Sequence, residues 1–299
     1  MTRQLVLVHG RSQQDKDPAK LKQDWLDALA EGLAKSDLTL PISEQDVRFP
    51  YYGDTLIDLV DGKSPNEAAD VIIKGEAAEA ELELFLKLVM EEVRLRTGVT
   101  ETEIAEEAGA DVVAKGPLNW EWVQSAMKVI DRRTTHGSAL SIFLATHDVY
   151  HYLIDKVAKY DIDRGVSAAI TPGVETVVVA HSLGTVVTHN LLREQGASAG
   201  WVVPQYVTLG SPLAVTRIRQ AILPPRWPAC VGAWYNARDE RDVVALYPLS
   251  AEHFPVGDDA PGIVENSRVR NGTDNRHGIS GYLSDADVAK VIHDALVAD

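Results

Sequence analysis

One stretch constrains this chain more than any other: Glu175-Thr-Val-Val-Val-Ala-His-Ser-Leu-Gly-Thr-Val-Val-Thr-His-Asn190. Thr176 to Val179 is an unbroken run of β-branched residues, which reads as a strand buried on both faces. Small residues then bracket Ser182, and a helical pattern resumes at Thr185. The unit is a strand, a sharp turn and a helix. A serine presented on such a turn needs small residues two positions before and after it, because strand and helix must approach each other closely. Ala180 and Gly184 meet that requirement.

This is the G-x-S-x-G nucleophile elbow with alanine in place of its first glycine. Ala180-His-Ser-Leu-Gly184 resembles the α/β-hydrolase superfamily in its lipase and serine esterase branch. The segments Leu209-Gly-Ser-Pro-Leu213, Asp242-Val-Val-Ala245 and His277-Gly-Ile-Ser-Gly-Tyr282 add to the resemblance, which covers residues 1–53 and 145–299. It implies an α/β fold with a mostly parallel sheet flanked by helices. It also implies a catalytic triad in the chain order serine, acid, histidine, with no metal and no organic cofactor.

Placed by that resemblance, the nucleophile is Ser182, the acid Asp242 and the base His277. Asp242-Val-Val-Ala matches the family's D-x-V-A run, which favours Asp242 over Asp239; a solvated loop paired with Arg238 and Arg241 is the competing reading of that cluster. His277 sits in the loop before the last helix, where the family places its base, whereas His253 falls one strand too early. The early junction Leu5-Val-Leu-Val-His-Gly10 resembles the site where the family supplies one oxyanion-hole amide, here Arg11 or Ser12, paired with Leu183. Such an amide is worth roughly 3 kcal/mol to acyl transfer, because it is already aimed at the charge that develops on the carbonyl oxygen. His9 reads as a support for this loop, and Ser211 as a turn residue of the Gly-Ser-Pro corner.

The rest of the chain is read by periodicity. Leu21, Trp25, Leu29 and Leu33 recur every four residues behind Asp17-Pro18, a cap and a first-turn proline, so a core-facing helix starts there. Val47 to Gly53 reads as a second strand with an aromatic end. Between about residues 54 and 144 the strand–helix alternation stops and the pattern turns helical and acidic. Glu76 to Arg96 makes one long helix, and Trp120, Val123, Met127 and Ile130 mark another. This insertion is expected to form a cap over the serine, an arm for a homodimer, or both. Phe143 to Ala158 returns to the core as one helix. His147 and His151 share a face of it but lack the glutamate of the zincin H-E-x-x-H arrangement, so no metal is expected there. Strands are expected over Tyr206–Leu213, Ala229–Asn236 and Val264–Val269, and helices over Thr185–Arg193 and Asp285–Val297.

Composition narrows the partners. A formal net charge of −15 disfavours nucleic acid and anionic membrane surfaces, both of which need a basic face. The single cysteine, Cys230, cannot close an internal disulfide and reads as a small buried hydrophobe. The chain opens with no signal-peptide pattern and holds no apolar run near the roughly 20 residues of a membrane span, so the expectation is a soluble cytoplasmic enzyme. Its expected activity is cleavage of a small-molecule or lipid acyl ester, with thioesters and amides open. The alternatives are a phospholipase-like effector held inactive by its cap and a non-catalytic binding or assembly protein with the same scaffold.

Overall fold

The computed structural model describes residues 3–10, 17–52, 80–134, 138–222 and 224–298. Among these, six strands form one sheet: β1 (Gln4–Val8), β2 (Val47–Arg48), β3 (Thr176–His181), β4 (Val203–Leu209), β5 (Val231–Ala237) and β6 (Val264–Asn266). Their order is β2-β1-β3-β4-β5-β6, and every neighbouring pair is parallel. Parallel neighbours cannot be joined by a hairpin, so the crossovers are long and mostly helical. In chain order the helices are α1 (Pro18–Ala34), α2 (Ala80–Thr97), α3 (Glu101–Ala108), α4 (Ala110–Lys115), α5 (Trp120–Arg133) and α6 (Ser138–Ile154). They continue with α7 (Lys156–Ala169), α8 (Leu183–Glu194), α9 (Thr216–Ala221), α10 (Ile279–Leu283) and α11 (Ala286–Val297).

The pleat sends alternate side chains to opposite faces, and both faces are covered. Val6, Val8, Val178, Ala180, Tyr206 and Trp234 join one hydrophobic cluster, whereas Leu5, Leu7, Val177, Val179, Val207 and Tyr235 join the other. That is why the strands read as apolar runs and not as alternation. The second face carries α1 and α11. Asp17 accepts the Ala19 N–H at 2.9 Å to start α1, and Leu21, Trp25, Leu29 and Leu33 point inward. The first face carries α8 and the helices between β2 and β3. Leu86, Met90, Trp122, Ile130 and Phe143 belong to the same cluster as Val178 and Trp234, so these helices share the core of the sheet.

Several boundaries differ from the sequence reading. The helix expected over residues 143–158 is two helices, divided at Asp155, whose carboxylate caps the Val157 and Ala158 N–H groups at 2.8 and 3.2 Å. The helix after Ser182 begins at Leu183, two residues early, because Gly184 is needed in its first turn for packing. β4 spans Val203–Leu209 and stops where Gly210 turns at φ 56°. β6 pairs only through Asn266, and β2 only through Arg48. The helix expected from Glu76 is described from Ala80. No described helix is long and apolar enough to cross a membrane.

Strand order also locates a crevice. The chain leaves β1 for β2 on one side and returns to β3 on the other, so the loops at the carboxyl ends of β1 and β3 diverge. In open parallel sheets ligands bind at such a switch point. His9-Gly10 and Ser182 stand there.

Candidate active site

Ser182 links β3 to α8 with φ 54° and ψ −126°, a conformation that strains any residue except glycine by about 1–3 kcal/mol. The strain is held by the Ser182 N–H, which donates to the Leu209 carbonyl at 3.1 Å, and by the Ser182 carbonyl, which accepts from the Thr185 N–H at 2.9 Å and its hydroxyl at 2.7 Å. Tight packing surrounds the turn. A Cβ on Gly184 would lie 2.6 Å from the carbonyl oxygens of both Val8 and His9, and one on Gly10 would lie 2.7 Å from the Ser182 Cβ. Glycine at both positions lets β1, the turn and α8 meet.

Ser182 Oγ lies 2.9 Å from Nε2 of His277, and His277 Nδ1 lies 2.7 Å from Oδ2 of Asp242. A carboxylate can only accept, so the imidazole proton sits on Nδ1 and Nε2 offers its lone pair to the serine hydroxyl. All three residues are buried. Asp242 follows β5, and its Oδ1 accepts the Val244 and Ala245 N–H groups at 2.9 and 3.4 Å. His277 precedes α10, with its N–H donated to Asn275 Oδ1 at 3.1 Å.

The rival residues are engaged elsewhere. Asp239 accepts from Arg241 at 2.9 Å (backbone N–H), 2.9 Å (Nε) and 2.6 Å (Nη2), and from the Asn271 N–H at 2.8 Å, which ties the loop after β5 to the loop before His277. Burial opposes its ionisation, but Arg241 and these N–H donors outweigh that and hold its carboxyl below the usual range. His253 rests against the Tyr247 ring and faces Glu252 at 3.9 Å. Ser211 shares a hydrogen bond of 2.8 Å with the Thr185 hydroxyl in the corner after β4.

Three residues of the site escape the sequence reading as functional positions. Tyr282 donates its hydroxyl to Asp242 Oδ2 at 2.6 Å and accepts the Asp239 N–H at 3.2 Å. Burial and then the Asp242 charge push its phenol well above the ordinary tyrosine value, so it stays a donor. His181 donates Nε2–H to the His277 carbonyl at 2.8 Å, with the two rings 4.7 Å apart. Burial and then the neighbouring His277 push its pKa well below the histidine range, which keeps it neutral. Gly10 is the third. Tyr282 closes the His277-Gly-Ile-Ser-Gly-Tyr segment and Gly10 the first strand run, yet nothing local in the sequence says what either touches.

His9 accepts the Tyr52 N–H on Nε2 at 3.1 Å, which leaves Nδ1 to donate to the Gly10 carbonyl at 2.7 Å. The Tyr52 hydroxyl in turn donates to the His9 carbonyl. Leu183 opens α8, so its N–H has no carbonyl one turn earlier to reach. Arg11 and Ser12 lie outside the described residues. His147 and His151 lie on one face of α6 with ring centroids 4.4 Å apart and the rings tilted by 54°, and no described group of three or more His, Cys, Asp or Glu side chains is arranged to hold a metal ion.

A chain of hydrogen bonds from a buried carboxylate through an imidazole to a serine on a strained turn can draw the proton from that serine as it attacks an electrophile. No protein-family model, curated protein or solved structure matches this chain, so its reading rests on the arrangement of Ser182, His277 and Asp242.

Proposed function

We propose that the protein is a serine hydrolase of the lipase and carboxylesterase kind, built on an α/β-hydrolase scaffold, that cleaves a carboxylic ester through a covalent acyl-enzyme. The observation that carries the proposal is the hydrogen-bonded line Asp242–His277–Ser182 at the switch point of a parallel sheet. Ser182 Oγ attacks the ester carbonyl while its proton passes to His277 Nε2. Negative charge then gathers on the carbonyl oxygen, and the Leu183 N–H is one donor for it. As the tetrahedral intermediate collapses, the C–O bond to the alcohol breaks and His277 returns its proton to that leaving oxygen. Water then adds to the acyl-serine with His277 as base, releasing the carboxylic acid and restoring the Ser182 hydroxyl. Asp242 keeps the imidazole in the productive tautomer and stabilises the imidazolium formed in each half. Tyr282 and the Val244 and Ala245 amides keep Asp242 in place.

The test is reaction with a fluorophosphonate probe and peptide mapping, run beside a short-to-long series of 4-nitrophenyl esters. Adduct on Ser182, its loss in Ser182→Ala, and a much larger loss of turnover in His277→Ala than in His253→Ala are expected. Hydrolysis surviving in Ser182→Ala, or His253 outranking His277, would remove the proposed mechanism.

A further inference from the structure

His277 has to hold one direction to serve Ser182. Its Nε2 stands 2.9 Å from the serine hydroxyl, and a displacement of about 1 Å in a reacting contact can cost about a hundredfold in rate. Two hydrogen bonds fix its backbone, and they come from different parts of the fold. The His277 carbonyl accepts from His181, the last residue of β3, at 2.8 Å. The His277 N–H donates to Asn275 Oδ1 at 3.1 Å. The same Asn275 amide then reaches outward, donating from Nδ2 to Ser141 Oγ at 3.0 Å. Ser141 stands near the start of α6, 134 residues earlier in the chain.

An asparagine suits this link. Its amide has one oxygen that accepts and one nitrogen that donates, so when the oxygen faces the His277 N–H the nitrogen is left for Ser141. The Thr273 hydroxyl, 3.4 Å from the same oxygen, gives its single proton to Asn271 Oδ1 at 2.6 Å, which leaves Asn275 Oδ1 to His277. Between Asn275 and His277 the chain takes φ 59° at Arg276, a left-handed conformation that glycine adopts freely and arginine does not. Such a turn persists only where its surroundings hold it. The Arg276 N–H donates to the Thr273 carbonyl at 3.0 Å on one side, and Asn275 holds His277 on the other. The far end of the link is a firm anchor. Ile142 and Phe143, which follow Ser141, are fully buried in the same cluster as Val178 and Ala180 of β3.

We propose that Asn275 is a positioning residue that ties the loop of His277 to α6, so that the helices between β2 and β3 take part in aiming the base at Ser182. The inference rests on the serine hydrolase reading. Asn275 acts through the His277 backbone and not on the substrate, so its loss lowers kcat and leaves KM in place.

The experiment measures three quantities: kcat and KM for 4-nitrophenyl butyrate, the rate constant for labelling by a fluorophosphonate probe, and the thermal unfolding midpoint. The variants are Asn275→Ala, Ser141→Ala, the two combined, and Asn275→Asp. Asn275→Ala should lower kcat about tenfold or more with KM changed by less than about twofold, and labelling should slow in parallel because both reactions need the same base. Ser141→Ala should lower kcat about threefold by itself and add nothing in the Asn275→Ala background, where the link is already broken. Asn275→Asp should recover most of the rate, since a carboxylate accepts from both the His277 N–H and the Ser141 hydroxyl. Asp274→Asn, exposed in the same loop, serves as the control and should change no readout. An unchanged kcat in Asn275→Ala overturns the proposal. So do losses that follow the unfolding midpoint, that appear in KM, or that multiply in the combined variant, because each assigns Asn275 to the stability of the loop alone. A wild-type protein that neither labels nor hydrolyses would overturn the serine hydrolase reading and this inference with it.

Discussion

Replacing Tyr282 by phenylalanine removes one oxygen atom from the centre of the site and tests how its parts depend on one another. That hydroxyl is fully buried, donates to Asp242 at 2.6 Å and accepts from the Asp239 N–H at 3.2 Å. A hydrogen bond to a charged acceptor contributes about 1.5–3 kcal/mol, and a buried N–H left without a partner costs about 1–3 kcal/mol. Together these place the loss of folding stability near 3 kcal/mol. The rate should suffer less. Asp242 keeps its 2.7 Å bond to His277 and both backbone donors, so imidazole orientation survives. Loss of about 1.4 kcal/mol of transition-state stabilisation, a tenfold drop in kcat/KM, is expected. Asp242→Asn presents an amide that favours the wrong imidazole tautomer, and its loss should approach 10⁴-fold on the order of other such triads. Urea unfolding and steady-state hydrolysis of 4-nitrophenyl butyrate read both quantities. A Tyr282→Phe protein of unchanged stability and rate would refute the network, and a rate loss equal to that of Asp242→Asn would show that the phenol acts in the chemistry itself.

Ser182→Gly and Ser182→Ala should both abolish turnover and probe labelling, yet the glycine variant should unfold at higher urea by about 1 kcal/mol, because only glycine relaxes at φ 54°. Equal stabilities would mean that the turn is not strained. Gly184→Ala gains about 1 kcal/mol of helix propensity, but its Cβ would meet two carbonyl oxygens of β1 at 2.6 Å. Overpacking of this kind costs about 1–3 kcal/mol, and β1 cannot move because it is paired on both sides, so a net loss of stability and activity is expected by thermal unfolding and ester assay. Burial and then Arg193 depress the pKa of His189 from 6.5 to about 3. Between those values the unfolded chain binds a proton that the folded protein refuses, so this stability is full above pH 6.5 and is lost as pH falls toward about 3. Urea midpoints should therefore decline between pH 7 and 5, and His189→Gln should remove part of the slope; His181, shifted the same way, keeps the rest.

Local chemistry was legible in the sequence wherever it is carried by neighbours along the chain. Thr176 to Val179 are a strand because β-branched runs suit a sheet covered on both faces, and α1 starts at Pro18 because Asp17 supplies its cap. The small residues around Ser182 announced a close approach before its partner, the carbonyls of Val8 and His9, was visible. Asp155 was missed as a helix start because capping was outweighed by apolar residues on both sides of it. Contacts between distant residues were settled by the tertiary structure alone. Sequence order left Asp239 beside Asp242 and His253 before His277; sheet order and loop lengths brought His277 to a serine 95 residues away and Tyr282 to an aspartate 40 residues away. Ser141 and Asn275 meet at 3.0 Å across 134 residues, and no neighbour of either along the chain announces the other. The physical reason is one of range: propensity, capping and periodicity act within a few residues, whereas a site forms from side chains whose separation in space is set by how strands are ordered in the sheet.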